Sequence, residues 1–252
     1  VALSALVLAA SLILLLLSHR QLHRHLQGLL YLLTRSQKTA LILYALLFFP
    51  GVLLHEGSHW LAAKLLRVPT RGFSLFPRKS SGGMIRFGYV ETATTDPLRG
   101  SLIGLAPLVS GGLAMVLIAL EGLGLRQYIT GLASGQQQLA GLQPARLLAT
   151  PDLLLWLYLA FAIGNTMLPS KSDRASWASA LIVVAALAFI GTLLGLFNWS
   201  GAWLQRAFEM LAENLAGIFL VTVVLDGLLL LPILLLEAIL SRILGRKIVY
   251  GG

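Results

Sequence analysis

The chain has 252 residues, 57% of them hydrophobic and 12% charged, with a mean hydropathy of +0.84, values that exclude an ordinary soluble domain and indicate a polytopic membrane protein. The net charge of +9 sits on Lys and Arg that flank apolar runs, as in membrane-interface anchoring, and no basic face interleaves with stacking aromatics as nucleic-acid binding would require. With no cysteine, disulfides, thiolate nucleophiles and thiolate zinc sites are excluded, so any metal must be held by His and carboxylate.

Residues 1–18 are apolar throughout and run into His19, Arg20, His23, Arg24 and His25; with no basic region ahead of them they read as a membrane span rather than a cleaved signal peptide. Residues 19–38 read as a basic interfacial helix with Leu22, Leu26, Leu29 and Leu30 as its apolar stripe. A second span covers about 40–66, and Pro50-Gly51 within it predicts a kink or break. Between 67 and 100 short alternating stretches, 71–77 and 84–90, flank Ser80-Ser81-Gly82-Gly83 and read as a β-hairpin or loop at the membrane surface. The third span, about 101–125, is rich in Gly and Ala, which allows close helix approach. Residues 126–150 form a polar connection with Gln136-Gln137-Gln138.

The fourth span, about 152–168, ends in Gly164-Asn165-Thr166-Met167-Leu168-Pro169, and a fifth covers about 175–197. An amphipathic segment, 198–213, carries Trp199, Trp203 and Phe208 for an interface. A last span, about 214–241, precedes the basic Arg242, Arg246 and Lys247. The expected fold is therefore all-α: a single membrane-embedded domain over 1–252, with about six transmembrane helices and a small β-like membrane-associated insertion. Its core is expected over about 40–197, flanked by 1–39 and 198–252. The Lys and Arg balance over six spans favours cytoplasmic termini, although the basic flank of the first span alone argues the reverse.

The chemistry concentrates in His55-Glu56-Gly57-Ser58-His59, inside the second span. A helix sets the two histidines one turn apart on one face, as two ligands of a zinc ion must be, and Glu56 beside the first is placed to take a proton from an activated water. Ionisable groups are costly within lipid and usually stay there for a purpose. Gly57 and Ser58 are small enough to let another element approach this helix. Catalytic zinc wants a third protein ligand, and the carboxylates Asp173, Asp226, Glu121, Glu237 and Asp152 are candidates. His19, His23 and His25 lie among arginines with no partner acid and are expected to be solvated or lipid-facing.

The run from Leu53 to Leu66, with His55, Glu56 and His59 followed by small and apolar residues, resembles the site-2 protease family of intramembrane zinc metalloproteases. A second motif of that family runs Asn-x-x-Pro and then Leu-Asp-Gly, with the Asp eight positions after the Asn. Asn165 and Asp173 keep that spacing here, although Pro169 falls one position late and Arg174 stands where the family has Gly. A literal Leu225-Asp226-Gly227 lacks the preceding Asn and Pro, so Asp226 is the rival ligand. The stretch 71–91 and Gly104-Leu105-Ala106-Pro107 also resemble the family's membrane-associated strands and third span.

The resemblance implies zinc held by His55, His59 and Asp173, Glu56 as general base, and Asn165 hydrogen-bonding the scissile carbonyl. The expected activity is endopeptidase cleavage of a transmembrane or membrane-proximal peptide, in a multi-pass protein of a prokaryotic cell membrane. Its partners are then the lipid bilayer, a membrane-protein or peptide substrate and other membrane subunits. The alternatives are an accessory subunit that keeps the fold without proteolysis, and a transporter built on Asp226, Glu121 and Glu237.

Overall fold

The computed structural model describes residues 1–74, 78–79, 85–86, 88–125, 148–193, 201–245 and 248. The polar connection at 126–147, the Ser-Gly turn at 80–83, Trp199 and the basic pair Arg246 and Lys247 lie outside these residues. Helix α1 covers Ala2–Thr34, α2 Gln37–Leu47, α3 Phe49–Leu65 and α4 Pro97–Leu117, which continues through a single π turn, Ile118–Gly122. Helix α5 is Leu153–Gly164, α6 Trp177–Leu193 and α7 Gly201–Leu244. Three helices are long and apolar enough to cross a membrane: α1, α4 with its π turn, and α7; counting the bent pair α2 and α3 as one span makes four.

Both chain-end readings need correction, for the same reason. The expected span 1–18 and interfacial helix 19–38 are one helix of 33 residues, and the expected segment 198–213 and last span are one helix of 44 residues. Neither junction contains a helix breaker, and α1 and α7 pack along each other over most of their length. The Leu22, Leu26 and Leu29 stripe is buried as expected, but against protein. Along α1, Ser4, Ser11, Ser18 and His25 recur every seven residues, and three of them meet acids of α7: Ser4 Oγ donates to Glu213, Ser18 Oγ donates to Asp226, and His25 Nδ1 pairs with Glu237 at 2.8 Å. Such polar contacts set the register of two helices that lipid would not otherwise drive together.

The break predicted from Pro50-Gly51 occurs at Phe48, where α2 and α3 meet at 69°. Pro50 sits in the first turn of α3, where its missing N–H leaves no helical bond unmade. Gly51 has no room for a Cβ beside Ala162 and Thr166, so α3 and α5 touch backbone to backbone there. A Cβ on Gly57, by contrast, would meet nothing within 4 Å, and the close approach falls at Gly51, six residues earlier on the helix.

Two short antiparallel strand pairs follow α3. Strand β1, Thr70–Ser74, pairs with β4, Tyr89–Thr92, and β2, Arg78–Lys79, pairs with β3, Ile85–Arg86. Helix α5, of 12 residues, is about 18 Å long, short of the roughly 30 Å of a hydrocarbon core, and its Ala160–Gly164 end is wholly buried in the bundle. The core joins its Ile163 to Leu15, Met115 and Phe219 from three other helices.

Candidate metal centre

His55 and His59 lie one turn apart on α3, and the geometry of each ring is decided by a carbonyl on another element. Pro107, inside α4, has no N–H to donate to the carbonyl four residues earlier, which belongs to Ile103. His59 Nδ1 takes that vacant acceptor at 2.8 Å. His55 Nδ1 bonds the carbonyl of Thr166, just past the end of α5, at 2.6 Å. A carbonyl can only accept, so both rings carry their proton on Nδ1 and present a bare Nε2 lone pair in the neutral form.

Those lone pairs point toward one another. The two Nε2 atoms are 3.2 Å apart, and Asp173 stands with one carboxylate oxygen 3.3 Å from His59 Nε2 and the other 3.7 Å from His55 Nε2. An ion held at about 2.0–2.1 Å in tetrahedral geometry separates its ligand atoms by about 3.3 Å; taking one donor atom from each residue, the three lie within 4.8 Å of one another, near enough to close on a single ion. Among the described residues this trio is the group of His and acidic side chains that could hold a metal.

Asp173 reaches the histidines from the turn between α5 and α6. The Ser170 N–H donates to its carboxylate at 2.6 Å, and its own N–H donates to Ser170 Oγ, which locks the turn. Burial pushes the Asp173 carboxyl up, but the two imidazoles, which donate to it from Nε2 only when protonated, and the Ser170 N–H outweigh burial and hold the group below the usual carboxylate range. Asp173 is a turn residue, and the same turn delivers it to the histidines.

Glu56, half-buried, sits in the electrostatic field of His55, His59 and Asp173. Its side chain lies against Gly88: a Cβ there would come within 2.8 Å of Glu56 Cγ and 3.1 Å of Oε1. The strand segment Gly88–Thr92 and the metal trio line one cavity of about 870 Å³.

Asp226, the rival ligand, is fully buried on α7, away from the two histidines of α3; it accepts from Ser18 Oγ at 2.9 Å and from Asn165 Nδ2 at 2.7 Å. Glu121 and Asp152 are exposed, and Glu237 pairs with His25. Asn165 is buried and adjoins the cavity, but both bonds made by its amide nitrogen go to protein acceptors, Phe161 O and Asp226. The expectation that the α1 histidines are solvated or lipid-facing is overturned. His25 is paired across the α1–α7 seam, while His19 and His23 line the same cavity as the metal trio.

Sequence reasoning passed over the carbonyls of Ile103 and Thr166. A signal for the first was present, since a proline within an apolar helix always frees the carbonyl four residues before it. Nothing in the sequence marks Thr166 or Gly88. Comparison of the chain with family models, with curated proteins and with solved structures finds no match.

Proposed function

We propose that this chain is a zinc-dependent intramembrane endopeptidase that cleaves a transmembrane or membrane-proximal peptide. The observation that carries the reading is the pair of Nδ1 bonds to backbone carbonyls, which leaves two Nε2 lone pairs and a carboxylate converging with no proton to separate them. Metal-binding histidines are oriented by this kind of outer hydrogen bond. Two imidazoles and one carboxylate suit zinc; calcium and magnesium take mainly oxygen ligands. When bound, zinc supplies a Lewis acid that brings the pKa of a coordinated water toward neutrality and leaves a position open for substrate.

Glu56 takes the proton of the attacking water and returns it to the leaving amine. Asp173 and the two imidazoles hold their positions through Ser170, Ile103 and Thr166, so little reorganisation is needed during the reaction. The substrate must be unwound, because a helical amide has its carbonyl engaged. Strand β4 has β1 as its one strand neighbour among the described residues, and Gly88–Thr92 line the cavity, so an extended substrate can add as a further strand beside Glu56. We read α5 and α6 as completing a membrane domain of about six spans, the Ala160–Gly164 end of the short α5 being buried among the other helices.

Metal analysis of the purified chain tests the reading. It is expected to carry close to one zinc, lost in His59→Ala and Asp173→Ala, while Glu56→Gln keeps the metal and loses cleavage of a labelled transmembrane peptide. Folded wild-type protein that takes up no zinc would defeat it.

A further inference from the structure

The cavity around the metal trio differs in chemistry from one side of the trio to the other. Strand β4 and helix α3 run along it in the same direction: Gly88 stands against Val52 and Glu56, while Thr92 pairs with Thr70, beyond the end of α3. On the Gly88 side the wall is Ala45, Phe48 and Val52, which meet across the α2–α3 break. The polar groups beside this wall are bonded to one another, Tyr44 Oη to His23 Nδ1 and His23 to the Asn165 side chain. On the Thr92 side the wall is the turn that carries Asp173, with Lys171, Ser172 and Ser176. Ser176 stands against Gly100, just ahead of Ile103 on α4, and Ile103 packs with Ala63 and Val68 at that end of α3. Lys171 is the lone Lys or Arg of the cavity wall among the described residues, and its ammonium makes no ion pair among them. Glu91 also borders the cavity, but its carboxylate lies over Gly72 of β1.

We infer that the cavity reads the polarity of the cleaved segment, taking an apolar side chain on the Val52 side of the scissile bond and an acidic one on the Lys171 side. An extended chain advances about 3.3 Å per residue, so one or two residues on either side of the bond reach past the trio into these walls. An apolar side chain gains by leaving water for Ala45, Phe48 and Val52. A carboxylate in their place would be desolvated with no cation to meet it. Beside Lys171 a carboxylate finds a counter-charge and stays in touch with water. The bond cut is then one where an apolar run gives way to acid, at the end of a span rather than in its uniform middle. This inference rests on the protease reading above.

The test uses the full chain with zinc in lipid nanodiscs and fluorogenic peptides in which a Leu/Val segment of about 20 residues is joined through Asn-Gly to a polar tail of Asp, Asn or Lys. Each peptide is made in both chain orders, tail last and tail first. In one order kcat/KM should be about threefold to fivefold higher for the Asp tail than for the Asn tail, with the Lys tail lowest. The difference should fade at about 1 M salt. In Lys171→Met the Asp-to-Asn ratio should fall to near one. Val52→Ala enlarges the apolar wall, so the ratio for Phe over Leu next to the junction should rise roughly tenfold. Each ratio is taken within one variant, so a lowered active fraction cancels. Equal rates for the three tails in both orders overturn the inference, as does an Asp preference that persists in Lys171→Met or a Phe-to-Leu ratio that Val52→Ala leaves unmoved. A wild type that binds zinc and cuts none of the peptides defeats the protease reading itself.

Discussion

Gly104 on α4 lies so close to the Asp173 carbonyl that a Cβ on Gly104 would fall inside the van der Waals contact distance of that oxygen. Helix α4 thereby presses the Asp173 turn onto α3 from one side, while its own Ile103 carbonyl orients His59 from the next residue. One turn of α4 thus positions two of the three candidate metal ligands.

Gly104→Ala should therefore push Asp173 away from the histidines without disturbing them. Zinc affinity is expected to fall about 10–100-fold, as when an outer-shell support is lost. Competition with a chromophoric chelator measures it, and far-ultraviolet circular dichroism should show unchanged helix content. Unaltered affinity would mean that Asp173 does not depend on this contact.

Pro107→Ala should separate helix stability from metal binding. An alanine there restores an N–H that competes with His59 for the Ile103 carbonyl. Helix α4 should become no less stable to heat, while zinc affinity drops roughly tenfold because the His59 ring is free to turn. Stability and affinity falling together would refute the assigned role of the proline.

Asp226 and Asp173 should give opposite phenotypes. Asp226→Ala leaves one N–H of Asn165 without its acceptor, while the Ser18 hydroxyl keeps the Leu15 carbonyl, at a cost of about 1–3 kcal/mol in bundle stability. The folded fraction should keep its zinc. Asp173→Ala should lose zinc and change thermal stability of the metal-free protein far less. Metal analysis alongside thermal unfolding of both variants distinguishes them, and zinc loss in the Asp226 variant alone would reassign the third ligand.

Gly88→Ala bears on Glu56. The added methyl would stand 2.8 Å from Glu56 Cγ, so the carboxyl must move. A displaced general base is expected to lower kcat about 10–100-fold, with zinc content and KM nearly unchanged. Full activity in this variant would mean that the strand does not position Glu56.

Much of this site is local and therefore legible. The spacing of His55 and His59 is a property of any helix, and the break beside Pro50 follows from one ring closure. Asp173 was reachable only through its distance from Asn165, a weaker signal, because a turn of Ser170–Asp173 can point anywhere until α4 packs on it. The apolar runs at 1–18 and 214–241 marked membrane segments, but composition could not say that the helices run on through His19–Thr34 and back to Gly201. The His19–Thr34 stretch runs on because α7 packs along it, while Gly201–Glu213 stays largely exposed and continues the helix because nothing in it breaks one. The α1 histidines follow the same rule: among arginines they look solvated, and only the packing of α1 against α2 and α7 encloses them.

What the sequence by itself determined is the chemical inventory and its short-range order: an apolar helical chain without thiols, two imidazoles a turn apart, a carboxyl beside the first, and a proline that strands a carbonyl. Helical periodicity and ring closure act over a few residues, so these follow from the chain alone. Only the tertiary structure decided that the stranded carbonyl faces His59, that Thr166 meets His55, and that Asp173 rather than Asp226 meets both. Each of those contacts joins residues far apart in the chain, and steric fit between helices, at Gly51 and Gly104 above all, brings them together.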